Sequence, residues 1–241
     1  VGRGPGPDSS ETPSTRRRWY LWLWLLAVPF LTIVILAVCL PPGILWEEEA
    51  GGYDVLEYHL AVPKTFHDEG RISFLPYNVY SNFPMNSEML SLFMMSLHGN
   101  AIGAASMSQF ANVALAILWV AAAWLAGRFY SPRAGMVTGV LAAATPWIAY
   151  LAGIAYVEIG MLAMGMAALA ALQRVEDEPS YSIRWTFVAG LLAGLSCGYK
   201  YTAVPLIALP LATTLCVCRV PLRARVKQVA LFTFGVILTF S

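Results

Sequence analysis

An all-α fold, a polytopic transmembrane helix bundle with a long external first loop holding short amphipathic helices, is what this sequence predicts. Three observations carry that reading. Of 241 residues, 58% are hydrophobic and only 12% charged, about half the charged fraction of an ordinary soluble domain. The apolar residues gather into separated runs of spanning length. The charges fall into a pattern that assigns each run a direction. A net charge of +1 leaves no basic footprint for nucleic acid, so no nucleic-acid partner is expected.

Residues 1–15, rich in Gly, Pro and Ser, lack apolar anchors and are expected to be disordered. With Arg16, Arg17 and Arg18 they make a cytoplasmic tail over 1–18. From Trp19 to Leu40 no residue is charged; this is too long for a signal-peptide core and long enough to span. Further runs cover about 104–127, 134–152, 156–173, 186–198, 201–218 and 228–241; the stretch from Ala134 to Gln173 is about two spans long, with Gly153 and Pro146 offering the break. The segment 84–98 is too short to cross. If it stays outside, twelve Arg and Lys lie on the inner side and three outside, Lys64, Arg71 and Lys200. Were it to cross, five would lie inside and ten outside, against the positive-inside tendency. Residues 42–103 are therefore expected to form one external loop with a partly embedded amphipathic helix. The whole region 19–241 reads as one membrane domain at the cell membrane, N-terminus inside. The chain ends within an apolar run, "ALFTFGVILTFS", and so reads as the N-terminal fragment of a longer protein.

Gly190, Gly194 and Gly198 recur every four residues, as do Gly135 and Gly139. In lipid this spacing lets helix backbones approach closely. The four cysteines, Cys39, Cys197, Cys216 and Cys218, lie in or beside apolar runs and read as small hydrophobes rather than a disulfide or zinc framework.

The external loop concentrates the chemistry. It holds eight of the fourteen acidic residues, all three histidines, and eight aromatics from Trp46 to Phe83. A plain connector is short and polar; long loops of this kind carry function. In "GGYDVLEYHLAVP", Gly51-Gly52 gives a turn and Asp54 begins a helical pattern, so Asp54, Glu57 and Tyr58 fall on one face. Asp54-x-x-Glu57 also fits a capping box, and both readings stand together because a capped helix holds its first carboxylate rigidly. His59 points away from Asp54 on such a helix, as a polar surface residue beside the substrate region. Glu47-Glu48-Glu49 reads as a solvated run. Glu158 and Lys200 are lone charges at the external ends of their runs: a membrane carboxylate is costly unless functional or paired, while Lys200 could snorkel to headgroups. The predicted topology puts Asp54, Glu158 and Lys200 on one membrane face.

Four segments in order, "YDVLEYHLAVPKTFHDEGRI", "NFPMNSEML", "AGRFYSPRAGMVTGVLAAATPWIAYLAGIAYVEIGML" and "GLLAGLSCGYKYTAVPLIALP", cover about 45–218 with the first span ahead of them. Together they resemble the C-type, polyprenyl-phosphate-dependent glycosyltransferases, the superfamily of protein O-mannosyltransferases and aminoarabinose transferases. The resemblance implies a transferase moving a sugar, with inversion, from a polyprenyl-phosphate donor to an acceptor hydroxyl of a glycan, lipid or protein. It puts the catalytic base at Asp54, with Glu57 beside it. It also assigns a second acidic position to Glu158, where the family usually has Asp. A Pro-then-Glu segment falls on Pro84 and Glu88, and a Lys-Tyr-Thr pattern on Lys200, Tyr201 and Thr202. With Tyr58 and His59, these residues form the expected substrate-binding set. The departing phosphate needs positive charge, from Lys200, Lys64, Arg71 or a divalent metal; no ligand spacing singles out a metal. A secondary transporter would instead show broken spans, midplane charges and an internal repeat, and a non-catalytic assembly protein would need none of these polar residues.

Overall fold

The structure, a computed structural model, describes residues 19–40, 53–177, 182–217 and 221–240. The tail 1–18, the Glu47–Glu49 run and the Gly51-Gly52 turn lie outside the described residues. Among those described, the chain is helical throughout, with no strand.

A 3-10 stretch, Trp19–Ala27, leads into α1, Val28–Cys39, where Pro29 occupies the first turn, the place in a helix that tolerates a missing N–H. After the undescribed segment come a π-helical turn, Val55–His59, and α2, Ala61–Glu69, closed by Gly70 in the left-handed conformation. α3 is Asn86–His98, ended in the same way by Gly99. At 13 residues it measures about 20 Å, short of the roughly 30 Å hydrocarbon layer. α4 runs from Ala105 to Arg128, α5 from Pro132 to Ala143 and α6 from Pro146 to Gly153. The α5–α6 axis bends by 55°, because Pro146 cannot continue the hydrogen-bond ladder; the other expected break is present too, since α6 ends at Gly153 and 154–157 is not helical. α7 is Glu158–Asp177 and α8 Ser182–Tyr199. A π turn at Val204–Ala208 opens α9, Leu209–Val217, and α10 is Leu222–Thr239.

Among the described residues, three helical stretches are long and apolar enough to cross a membrane: Leu21–Cys39, Ala105–Arg128 and Glu158–Val175. The bent α5–α6 pair makes a fourth if taken as one span. Leu25, Leu31, Ile35, Ile117, Leu206 and Ile237 are exposed, outward apolar faces that suit a lipid surround.

Side-chain contacts fix the directions of the helices. Gly190 meets the Phe232 carbonyl and Gly194 meets Val236, so α8 and α10 run parallel in direct backbone contact. Ser196 donates to the Met161 carbonyl at 2.7 Å, which sets α7 antiparallel to α8. Gly127 and Gly135 sit where α4 and α5 cross, and Thr138 Oγ1 donates across to the Ala123 carbonyl. The small-residue spacing read from the sequence is thus where the backbones touch. Helix ends alternate between two ends of the bundle. One end carries Arg128, Arg174, Arg184, Arg223 and Arg225; the other carries the 53–103 region with Glu158 and Lys200.

The core follows that division. Ala168, Ala189, Ala193, Cys197, Leu215 and Phe232 are buried between α7, α8, α9 and α10. A second cluster, with Val55, Met95, Ile148, Leu151 and Ile159, fastens the loop helices to the bundle, and a smaller one holds Tyr58, Val62, Phe66 and Leu75 together. Cys197 is buried as a small hydrophobe, whereas Cys39 and Cys216 lie exposed.

Candidate functional site

The local structure at 53–60 departs from the sequence reading. Asp54 has helical backbone angles and makes no capping hydrogen bond, so the expected Asp54–Glu57 capping box is absent. The helix has already begun at Tyr53, and the ladder widens over Val55–His59, where the Leu60 N–H reaches back to the Val55 carbonyl at 3.0 Å. A π turn shifts the side chains that follow relative to an α-helix. Tyr58 and His59 are consequently buried while Glu57 is exposed, and Asp54, Glu57 and Tyr58 do not share one face. π segments recur at functional sites, and this one turns two polar rings inward.

His59 is the largest correction. It is 2% exposed, not a surface residue. Its Nδ1 and Glu88 Oε1 share a hydrogen bond at 2.5 Å, and its ring lies tilted on Tyr58 and edge-on to Tyr156. Glu88, itself 1% exposed, is too deeply buried to hold a charge without a partner, and His59 supplies one. Glu88 Oε2 is enclosed without a hydrogen-bond donor.

Glu158 and Lys200 are partners rather than lone charges. Lys200 Nζ donates to Glu158 Oε1 at 2.5 Å, with the side chains 39% and 24% exposed respectively. Neither simple solvation of Glu158 nor snorkelling of Lys200 describes them. Glu158 sits at the first turn of α7, where the helix dipole favours a carboxylate. Lys200 follows directly on the end of α8.

The unwound link between α6 and α7 is held by two amides. Gln109 Nε2 donates to the Gly153 carbonyl at 2.8 Å, and Asn112 Nδ2 donates to the carbonyls of Ile154 at 2.5 Å and Tyr156 at 2.9 Å. Both side chains are buried on α4, and they satisfy carbonyls in an apolar setting where an unpaired one is costly; the Ile154 carbonyl also accepts from the Tyr156 N–H at 2.9 Å. They position Glu158 from a distance. Sequence reasoning passed over them, although two amides three residues apart in an otherwise apolar span were a visible signal. Asn86 Nδ2 similarly pins the start of α3 to the Leu195 carbonyl on α8 at 3.0 Å, in the space left by Gly198.

A cavity of about 190 Å³ opens among these groups. Tyr58, His59 and Glu88 line one side, and Phe83, Lys200 and Tyr201 another. Its volume is below the roughly 300–1,000 Å³ of drug-sized ligand sites, so it suits the reacting end of a ligand. An aromatic series rims it: Tyr58 stacks on Tyr80 at 4.7 Å, Tyr80 meets Phe83, Phe83 meets Tyr201, and Tyr201 meets Phe240. In the sequence Tyr80 counts only among the loop's aromatics, and Tyr156 carries no signal of its own.

Asp54 does not line the cavity, but its charge reaches it. Burial pushes the Tyr58 phenol well above its ordinary pKa, and the carboxylates of Asp54, Glu88 and Glu158 push it further in that order. Three carboxylates from three separate elements therefore surround one neutral phenol, which remains a hydrogen-bond donor at any physiological pH. Asp54 is half-buried. Glu57 lies outside the cavity, and its backbone carbonyl accepts from Asn78 Nδ2 at 3.0 Å. Lys64 is taken up by Asp68, whose carboxyl it holds below the usual range by a hydrogen bond, and Arg71 lies against Glu69. Of the expected phosphate-binding cations only Lys200 reaches the cavity. Among the described residues, no group of three or more His, Cys, Asp or Glu is arranged to hold a metal.

Comparisons with family models, with curated proteins and with solved structures find no match.

Proposed function

We propose that this protein is a membrane glycosyltransferase that moves a sugar from a polyprenyl-phosphate donor to an acceptor hydroxyl at the external membrane face, with inversion. The observation that supports it most is the gathering, at one end of an apolar bundle, of Glu88 and Lys200 in the wall of an aromatic-rimmed cavity, with Glu158 paired to Lys200 and the charge of Asp54 felt at Tyr58. Four segments far apart in sequence supply them, and an inert membrane scaffold has no need to gather buried charge in this way.

The chemistry divides among these groups. Asp54, with no hydrogen-bonded partner among the described residues, takes the acceptor's proton as the acceptor oxygen attacks the anomeric carbon. The bond from that carbon to the phosphate oxygen breaks on the opposite face, and the lipid phosphate leaves with the bonding pair. Lys200 meets its growing charge, with Glu158 holding the ammonium in place. Tyr58 donates to a ligand oxygen, and the aromatic rim offers faces for sugar stacking. The charges gather at one end rather than at the midplane, which favours transfer over the transporter reading.

Vesicles holding the full-length protein and a radiolabelled polyprenyl-phosphate hexose or pentose should release free polyprenyl phosphate once an acceptor extract is added. Release no faster than in protein-free vesicles would remove this reading. Orientation is tested separately in a cysteine-free background. A cysteine at Asn100 should label from outside, and one at Arg133 only after permeabilisation; the reverse pattern would place the cavity on the inner face.

A further inference from the structure

The burial of His59 and Glu88 decides what the imidazole presents to the cavity. His59 is 2% and Glu88 1% exposed, and Nδ1 lies 2.5 Å from Oε1. A net charge on so enclosed a pair is costly, so the pair is held neutral overall. Two arrangements meet that condition. In one a carboxylate faces an imidazolium; in the other a carboxylic acid donates to Nδ1 of a neutral imidazole. Nε2 carries a proton in both. The remaining arrangement, a carboxylate with an imidazole protonated at Nδ1 alone, leaves Nε2 bare but buries one unbalanced negative charge. It would do so beside Asp54 and Glu158, whose charges already press on the neighbouring Tyr58, while Lys200 is taken up by Glu158.

Nε2 is also the ring nitrogen left for a ligand. Nδ1 is turned to Glu88, Nε2 makes no hydrogen bond among the described residues, and His59 lines the cavity. The Tyr58 ring, 4.0 Å away between centroids, and the edge contact with Tyr156 hold the imidazole plane. It is the π turn that brings the ring there, since it displaces the side chain from the outward direction of an α-helical register. Lys200 stands in the wall of the same small cavity. We infer that His59 donates its Nε2–H to the phosphate of the bound lipid donor, so that the phosphate lies between His59 and Lys200. The inference rests on the glycosyltransferase reading and gives the phosphate a second donor, one that carries no net charge of its own once paired with Glu88. As the bond to the anomeric carbon breaks, charge builds on the phosphate oxygens and a hydrogen bond to them strengthens.

The probes are polyprenyl phosphate and the polyprenol of the same chain length, bound at equilibrium to the full-length protein in nanodiscs of neutral lipid. The unmodified protein should prefer the phosphate. The variant carries His59→Leu together with Glu88→Met, because replacing both members of a buried pair by apolar groups of similar size spares the fold, whereas removing one strands the other. It should bind the phosphate about 10- to 100-fold more weakly, the usual worth of a hydrogen bond to a charged group, and bind the alcohol as before. A pair that served only to hold α3 against the π turn would shift both lipids alike. That outcome, or an undiminished preference for the phosphate, would overturn the inference. Contact is also read directly, without any variant, by solid-state NMR of protein with isotope-labelled histidine and tyrosine. Of the three histidines in this sequence only His59 follows a tyrosine, which identifies its signals. Its ring nitrogen should be dephased by the phosphorus of bound polyprenyl phosphate, and no dephasing with the lipid bound would refute the contact. If the unmodified protein binds neither lipid, the glycosyltransferase reading falls with the inference. If it binds the phosphate and transfers sugar but shows no dephasing, the inference alone falls.

Discussion

Asp54→Asn should lower sugar transfer by about two to four orders of magnitude, the usual worth of a positioned general base, with expression and helix content unchanged. The structure makes this a cleaner test than the sequence suggested. Asp54 makes no capping hydrogen bond, so the amide removes a proton acceptor without removing a helix cap. Donor binding should stay close to normal, because Asp54 lies outside the cavity that Lys200 lines. Glu57→Gln, at an exposed position, should change transfer severalfold at most. The measurement is initial transfer rate at matched protein levels. Full activity in Asp54→Asn would move the base to Glu88 or Glu158. Glu88→Gln is a poorer probe, because it would break a buried pair with His59 and disturb folding and chemistry together.

The second large effect concerns the Glu158–Lys200 pair, whose members should act in opposite directions on donor affinity. Lys200→Gln removes the one cation lining the cavity and should weaken binding of a polyprenyl-phosphate donor about 10- to 100-fold, corresponding to a charge-assisted hydrogen bond of roughly 1.5–3 kcal/mol. Glu158→Gln removes the carboxylate that competes with the phosphate for Nζ. It should leave donor affinity unchanged or stronger, while slowing transfer because the ammonium is no longer fixed. Equilibrium binding in lipid nanodiscs separates the two. Equal weakening by both variants would mean that the pair is structural, holding α7 to α8, and that the phosphate binds elsewhere.

How much of this was legible in the sequence depended on the range of the interaction. The apolar runs, the short 84–98 helix, the glycine contacts and the Pro146 break are local properties of composition and spacing, and the structure has helices where they pointed. That Glu158 and Lys200 share one end was legible too, since alternating helix directions place both there, but their pairing was not: each reads in the sequence as a lone charge. What stayed hidden was local geometry that breaks its own period. The π turn at Val55–His59 leaves the α-helical register, so a reading by threes and fours put Glu57 beside Tyr58 and His59 outside. The partner that stabilises His59 inside, Glu88, is 29 residues away, beyond any local pattern. Gln109 and Asn112 were obscured for a related reason: the carbonyls they satisfy belong to a loop more than forty residues later.

The most direct test of the central claim is the anomeric configuration of the product formed from a polyprenyl-phosphate sugar of known anomer, read from the coupling constant of the anomeric proton. With Asp54 deprotonating the acceptor on one face and the lipid phosphate leaving from the other, the expected product has the opposite configuration to the donor. Retained configuration would require a covalent sugar–enzyme intermediate and a different role for these carboxylates, and would contradict the direct displacement proposed for this site.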